Sequence, residues 1–295
     1  MRFIDPLRSS VVSHNAPSEG EQRYARCGAL TKAHSKTFYF ASLFLGVEKR
    51  RAIWAVYAFC RTADDIVDRD APAGERLRAL DRWREQLLAA YDGQASDPLM
   101  IAFAETAHRF AIPMQPALEL LLGAQRDVTV RRYATYAELE EYCYLVASTV
   151  GLLTCPILGY EDGALPYGVM LGRAMQLTNI LRDVGEDARL GRIYLPAEDL
   201  RRFGYTEDDV LAGTIDERFV ALMRFQIARV RKLYREAAAG IDLLAPESRY
   251  TVRLALALYQ RILEQIERNG YDVFSRRAYI PARAKLLIAM ATALR

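Results

Sequence analysis

The run Arg61-Thr62-Ala63-Asp64-Asp65-Ile66-Val67-Asp68 sets two carboxylates, Asp64 and Asp68, one helical turn apart. They stand about 40° apart on one face, with Arg61 near the same stripe. A second run, Gln176 to Asp187, repeats the device. Gln176, Asn179, Asp183 and Asp187 share a stripe, while Leu177, Ile180, Leu181 and Val184 fill other directions. On a solvated surface such pairs cost only ~0.2–0.5 kcal/mol, so either alone is readily tolerated there. Burying several ionised carboxylates is far more costly and demands cations. An all-oxygen donor set suits Mg²⁺, with Mn²⁺ as a second choice, shared with substrate phosphate oxygens. Two such clusters facing each other could clamp a diphosphate between them. Arg61, Arg182, Arg189 and Arg192 flank the clusters, and Lys36 with Arg50 or Arg51 could approach from the N-terminal side. Singly, each of the 35 Arg reads better as a surface ion pair. Together, cations fixed there would stabilise the charge that develops as a carbon–oxygen bond to diphosphate breaks.

The elements that must carry these groups are helices. Ala52–Cys60, directly before Arg61, and Leu145–Leu158 are apolar on every side, which places both at the centre of a bundle. The 11 Pro leave long stretches of helix formers between them. Periodicity predicts helices over 21–33, 36–45, 48–69, 75–91, 98–110, 114–125, 136–158, 165–188, 216–240, 247–268 and 276–294. Gly and Pro make 189–215 an irregular stretch with short helices, and 1–20 reads as a loose segment. Val128-Thr129-Val130 is strand-like but too short to build a sheet. The expectation is one all-α domain over 21–295.

Composition narrows the function. The 295 residues are 52% apolar and 26% charged, enough for a substantial core. A formal net charge of +3 gives no reason to expect a nucleic-acid partner. Of the 40 basic residues only five are Lys (32, 36, 49, 232 and 285), and Arg is the better bidentate grip on phosphate. Three His (14, 34, 108) cannot supply a multi-His metal centre. Four scattered Cys (27, 60, 143, 155), with no C-x-x-C, read as buried thiols of a reducing compartment. With no signal-like start and no obvious membrane span, the chain is expected to be cytoplasmic, with peripheral contact at a membrane left open. No GxGxxG, P-loop, HExxH or GxSxG is present.

The chain resembles the phytoene/squalene synthase family of head-to-head prenyl synthases, from about residue 33 to 283. The marks are His34-Ser35-Lys36-Thr37-Phe38-Tyr39, Tyr57-Ala58-Phe59-Cys60-Arg61 leading into Asp64–Asp68, Tyr142–Gly151, and the specific run QLTNILRDVGEDARLGRIYLP from Gln176 to Pro196. The resemblance implies an isoprenoid-synthase-type helical bundle around a central hydrophobic cavity, with Mg²⁺ between the two aspartate motifs. It assigns metal and diphosphate positions to Asp64, Asp68, Asn179, Asp183 and Asp187. Substrate-phosphate contacts fall on Ser35, Lys36, Arg61, Gln176 and Arg182, with Tyr142 and Tyr271 near the reacting groups. One prenyl diphosphate would ionise and alkylate a second, giving a cyclopropylcarbinyl diphosphate that ionises and rearranges in turn. Phe38, Tyr142 and Tyr271 are candidates to shelter such cations, or plain core aromatics; Val146, Val150 and Gly151 supply a small lining for a prenyl chain.

Within the family, the wording of the second motif and Ser275-Arg276-Arg277-Ala278-Tyr279 are most similar to the phytoene-forming members. These join two geranylgeranyl diphosphates and finish by losing a proton, without NADPH. The alternative is a squalene-, hydroxysqualene- or dehydrosqualene-type enzyme using farnesyl diphosphate. Ser42, one turn from Phe38, is either a cavity floor that leaves depth for the longer chain or an ordinary helix-surface serine. Two readings lie outside this reaction. Head-to-tail elongases and terpene cyclases share D-D-x-x-D but not the second motif, and a non-catalytic assembly relative would have eroded aspartates. The segment from Arg276 onward either rests on a bilayer or packs as a simple helix. Nothing in the sequence fixes an oligomeric state.

Overall fold

The computed structural model describes residues 18–294, which are helical almost throughout. The chain folds into α1 (Glu19–His34), α2 (Lys36–Ser42), α3 (Val47–Val67), α4 (Ala73–Tyr91), α5 (Pro98–Arg109) and α6 (Met114–Thr129). Then follow α7 (Tyr136–Cys143), a π-helical turn (Tyr144–Ser148), α8 (Thr149–Leu158), α9 (Leu165–Arg189), α10 (Ala197–Arg202), α11 (Glu207–Ala212) and α12 (Glu217–Ala238). A 3₁₀ turn (Ile241–Leu243) leads to α13 (Pro246–Arg268) and α14 (Ala282–Ala293). Among the described residues the only extended pairings are two isolated bridges, Arg132 with Ile193 and Tyr160 with Leu244. The all-α expectation holds.

Local chemistry sets most of the boundaries. Ser18 and Glu21 close a capping box on α1, and Asp97 caps α5 ahead of Pro98. Thr206 and Asp209 box α11, which ends on Gly213 in the left-handed region at φ 69°. Two expected boundaries change. Helix α1 starts at Glu19, inside the segment read as loose, and the remainder of that segment, 1–17, lies outside the described residues. The last helix starts at Ala282 rather than 276, because Pro281 restrains Ile280 to an extended backbone and then opens the helix as its N-cap. Val128 and Thr129 belong to the end of α6, not to a strand.

Two apolar clusters make up the core. One gathers around α3, whose Ala52, Ile53, Ala55, Val56, Ala58 and Phe59 are all buried against α1, α4, α5 and α6. The other gathers around α9 and its neighbours α12 and α13, with Leu177, Ile180, Leu181, Leu222 and Leu258. Leu171 and Leu256 pack against both. Tyr136–Leu158 is long and apolar enough to cross a membrane by length and composition, yet half of that stretch is buried in the bundle. Its partner is α9, approached very closely: a Cβ on Gly151 would fall 2.4 Å from the Gly168 carbonyl oxygen, and one on Gly172 2.3 Å from that of Ala147. The glycines let two backbones meet where a side chain would hold them apart.

Candidate active site

Between the two clusters lies a cavity of about 280 Å³. Ser35, Phe38, Ala41 and Ser42 line it from α2 and the residue before it. Helix α3 adds Val56, Tyr57, Cys60 and Asp64; the π turn and α8 add Val146, Val150 and Gly151; α9 adds Met175, Gln176 and Asn179; α13 adds Val252 and Tyr259. The walls are mostly apolar, with Ser42, Thr154 and Thr251 among them; Asp64 joins the lining near the end of α3, and Gln176 and Asn179 join it from the middle of α9. Val146 and Ala147 belong to the π turn, an irregularity that aims their side chains inward.

Asp64 faces this cavity. Its surface is open to the void but enclosed by protein, so burial pushes its carboxyl up to about 7, opposed by Arg61 and reinforced by Asp127, Asp68 and Asp65. Asp187 is likewise pushed up to about 7 by burial and Asp183, opposed by Arg192. Neither forms an ion pair among the described residues. Asp68 and Asp183 do. Arg192 Nη1 and Nη2 lie 3.3 Å from Asp68 Oδ1, which ties the end of the second motif to the first. Burial alone would raise the Asp183 carboxyl, but Arg182 and Arg277, at 2.8 Å each, hold it below its usual range.

A third carboxylate completes the arrangement. Asp127, at the end of α6, accepts hydrogen bonds of 3.1 Å from the Tyr142 hydroxyl and 3.1 Å from that of Tyr194. Burial lifts it to about 6 despite those bonds, and its charge is felt at both Asp64 and Asp187. It therefore lies within reach of both motifs. Tyr133, Tyr142 and Tyr194 stack around it with ring centroids 5.3 to 5.8 Å apart. No group of three or more acidic, His or Cys side chains is already closed into a metal cage among the described residues. What the site offers is carboxylates facing the cavity end without a direct ion pair, Asp64 and Asp187, which is the donor chemistry a divalent ion needs.

The expected residues divide cleanly. Ser35, Phe38, Ser42, Asp64, Val146, Val150, Gly151, Gln176 and Asn179 all line the cavity. Asp68, Asp183, Asp187, Arg61 and Arg182 surround its polar end; Arg61 pairs with Asp65 rather than with Asp64 or Asp68. Lys36 is exposed beside Ser35. Tyr142 is buried behind the polar end, on Asp127. Tyr271 is not brought to the cavity. The chain leaves α13 at Arg268, Tyr271 adopts φ 63°, and Arg224 lies 5.6 Å over its ring and 3.2 Å from its hydroxyl. Arg50 and Arg51 also turn elsewhere, onto Trp54 and Glu21, and Arg189 bonds the Phe274 carbonyl.

Sequence reasoning assigned no site role to Asp127, Tyr57, Tyr259, Tyr194 or Arg277, although Tyr57, Tyr194 and Arg277 stand in the motifs it quoted. A signal existed for two of them. Asp127 continues the buried stripe Leu120, Ala124 of α6, and Tyr259 continues Val252, Ala255 of α13. Tyr259 bonds Ser35 and sits in the field of Arg182 and Asp183, so this tyrosine takes the position beside the polar end that Tyr271 was expected to fill.

Comparison with known proteins places the chain in a family. The squalene/phytoene synthase family model matches residues 31–284. The chain belongs to that family. A phytoene synthase of Arthrospira platensis is 44% identical over 285 residues, covering 92% of each chain. A 15-cis-phytoene synthase of Synechocystis is 43% identical, covering 90% of this chain and 83% of that one. Among solved structures, a dehydrosqualene synthase in complex with ligand superposes with a TM-score of 0.88 at 33% identity, over 94% of this chain and 97% of its own. A squalene synthase from Alicyclobacillus acidocaldarius gives 0.80 at 32%, over 87% and 97%. The isoprenoid-synthase helical fold and prenyl-group transfer expected from the motifs are those of the family.

Proposed function

We propose that this squalene/phytoene synthase family member is a phytoene synthase, joining two geranylgeranyl diphosphates head to head through a cyclopropylcarbinyl diphosphate. The observation that carries the reading is the apolar cavity capped at one end by Asp64, Asn179 and Gln176, with Asp68, Asp183, Asp187 and Asp127 close behind. The naming of relatives 40–44% identical over most of the chain as phytoene synthases supports the geranylgeranyl choice.

Asp64, Asp68, Asn179, Asp183 and Asp187 would hold divalent ions, Mg²⁺ or Mn²⁺, whose positive charge draws electrons toward the leaving diphosphate. Arg182, Arg61 and Lys36 add fixed cations where that charge develops. The apolar walls keep water from the allylic cation, which would otherwise be captured as an alcohol. Phe38 and Tyr57, stacked with centroids 5.5 Å apart on the cavity wall, present ring faces worth roughly 0.5–2 kcal/mol each to a passing cation. Loss of a proton ends the sequence, so no reductant is consumed.

Incubating the chain with Mg²⁺ and labelled geranylgeranyl or farnesyl diphosphate, with and without NADPH, tests this. A C40 triene-centred hydrocarbon from the geranylgeranyl substrate, formed equally without NADPH, is expected. A C30 product from farnesyl diphosphate alone would move the assignment to the squalene or dehydrosqualene branch. An elongated diphosphate would overturn head-to-head joining.

A further inference from the structure

The cavity is long. On α9 its lining runs from Tyr167 to Asn179, about 18 Å at the helical rise of roughly 1.5 Å per residue. On α3 it runs from Ile53 to Asp64, about 17 Å, and on α13 from Thr251 to Tyr259, about 12 Å. Asp64, Asn179 and Tyr259 mark the end where the carboxylates stand. The starts of the same three helices therefore mark the opposite, deep end.

That deep end is closed by two turns laced to each other. The Glu161 N–H donates to the Leu243 carbonyl at 2.8 Å, and the Ala245 N–H to the Gly159 carbonyl at 2.9 Å. Lys49 Nζ, from the start of α3, ties both to the first helix of the cavity wall, donating to the Leu158 carbonyl at 2.7 Å and to Glu247 at 2.8 Å. Leu158, Ile241 and Leu244 of these segments line the cavity and are also buried in the core around α3. Such a floor is held by backbone bonds and close packing, so it does not retreat before a chain pressed against it.

One large side chain there serves neither core. Tyr167, in the first turn of α9, lines the cavity but belongs to neither apolar cluster, and its hydroxyl has no hydrogen-bond partner among the described residues. A half-buried tyrosine ordinarily packs its ring into a core or anchors its hydroxyl. What fixes this one is Gly240: a Cβ there would fall 2.2 Å from Tyr167 Cβ and 2.3 Å from its Cγ, so the root of the ring rests on bare backbone. The geometry points to Tyr167 as the residue that stops the prenyl tail and sets the longest chain the cavity takes, with Gly240 as the positioning residue that holds the ring. Ser42 lines a different wall, from α2. Enlarging that serine can only shorten the cavity, whereas loss of the Tyr167 ring lengthens it. The C20 length assigned to the chain rests on the phytoene synthase reading; the stop itself rests on the shape of the deep end.

Relative kcat/KM for farnesyl, geranylgeranyl and geranylfarnesyl diphosphates (C15, C20 and C25), read as diphosphate release with Mg²⁺, tests the stop. A hydrophobic pocket discriminates by roughly 10–200-fold for a single methylene, so the parent should take C25 at least tenfold less well than C20. Tyr167→Ala should raise the C25-to-C20 ratio at least tenfold. Gly240→Ala should push the ring inward and lower the C20-to-C15 ratio. Adding Tyr167→Ala to it should restore that ratio, a rescue that general damage to the fold would not give. Each single variant decides the matter if the other does not fold. Equal use of C25 and C20 by the parent, an unchanged ratio in Tyr167→Ala, or a Gly240→Ala defect without rescue overturns the proposal. A parent that takes only C15 corrects the substrate and not the stop, which is then judged by the C20-to-C15 ratio in Tyr167→Ala. A parent that releases no diphosphate refutes the enzymatic reading. The stop is then judged by the rise in melting temperature that thiodiphosphate analogues of the three chain lengths give to parent and variant.

Discussion

Arg192 spans the two aspartate motifs, its guanidinium 3.3 Å from Asp68 Oδ1 while its own backbone follows the helix that carries Asp183 and Asp187. The same guanidinium opposes the upward shift at Asp187 and at Asp127. It therefore neutralises three carboxylates that would otherwise repel one another. Replacing it with Ala should reduce kcat by about 10²–10³-fold, the scale seen when one preorganised electrostatic group is removed from a site of this kind. Arg192→Lys should recover only part of that. Steady-state diphosphate release checks both.

Asp64 predicts how stability varies with pH in the absence of divalent ions. Its carboxyl lies near 4 unfolded and about 7 folded, so between those values the native state holds a proton that the unfolded state has lost. Stability should fall as pH rises from 4 to 7 and flatten above. Asp64→Asn should remove much of that slope. Adding Mg²⁺ should stabilise the parent increasingly above pH 7, since only the ionised carboxylate binds the ion. Urea unfolding at several pH values, with EDTA or with Mg²⁺, measures all three.

Asp127 tests the third carboxylate. It accepts two tyrosine hydroxyls, so Asp127→Ala leaves Tyr142 and Tyr194 without their acceptor in a buried place, at a cost of roughly 1–3 kcal/mol per orphaned group. Tyr142→Phe and Tyr194→Phe each remove one donor and keep the stacked rings, so each should cost less. Thermal melting ranks the three variants. A larger fall in turnover for Asp127→Ala than for either Phe variant would place the carboxylate itself, and not the ring stack, at the reaction.

The parts of this fold legible in the sequence were those with a one-dimensional signature. Ala52–Cys60 had no solvent face and is central, and Asp64 from the first stripe and Gln176 and Asn179 from the second line the cavity. What sequence could not carry was the result of two segments meeting. The π turn at Tyr144–Ser148 depends on how that helix fits α9 through Gly172 and α6 through Gly123. Tyr259 reaches the cavity from within α13, on the stripe of Val252 and Ala255, whereas the path after α13, with positive φ at Gly270 and Tyr271, turns Tyr271 onto Arg224 and is not written in any local pattern. Asp127 was visible only as an acidic residue out of place on a buried stripe.

Ser42 tests chain length. It is buried on the cavity wall, donates to the Tyr39 carbonyl at 2.7 Å, and accepts from Trp54 Nε1 at 2.8 Å. A phenylalanine there would lose the bond to Trp54 and push its ring into the cavity. Ser42→Phe should shift the ratio of kcat/KM for farnesyl over geranylgeranyl diphosphate upward by at least tenfold, mainly by excluding the longer chain. Competition between the two labelled substrates reads the ratio directly. An unchanged ratio would put the floor elsewhere.

Gly151 separates lining from packing. It faces the cavity, yet a Cβ there would stand 2.4 Å from the Gly168 carbonyl oxygen, which is backbone of α9 and cannot swing aside. Gly151→Ala must therefore part α8 from α9, at about 1–3 kcal/mol for an overpacked contact. Because α9 carries Gln176, Asn179 and Asp183 from the same stretch of helix, the displacement should lower affinity for substrate as well as melting temperature. Val150→Ala, on the cavity wall one residue earlier, removes atoms and moves no backbone. It should cost less stability and leave the polar end in register, so a variant pair with equal losses in both measurements would refute the distinction.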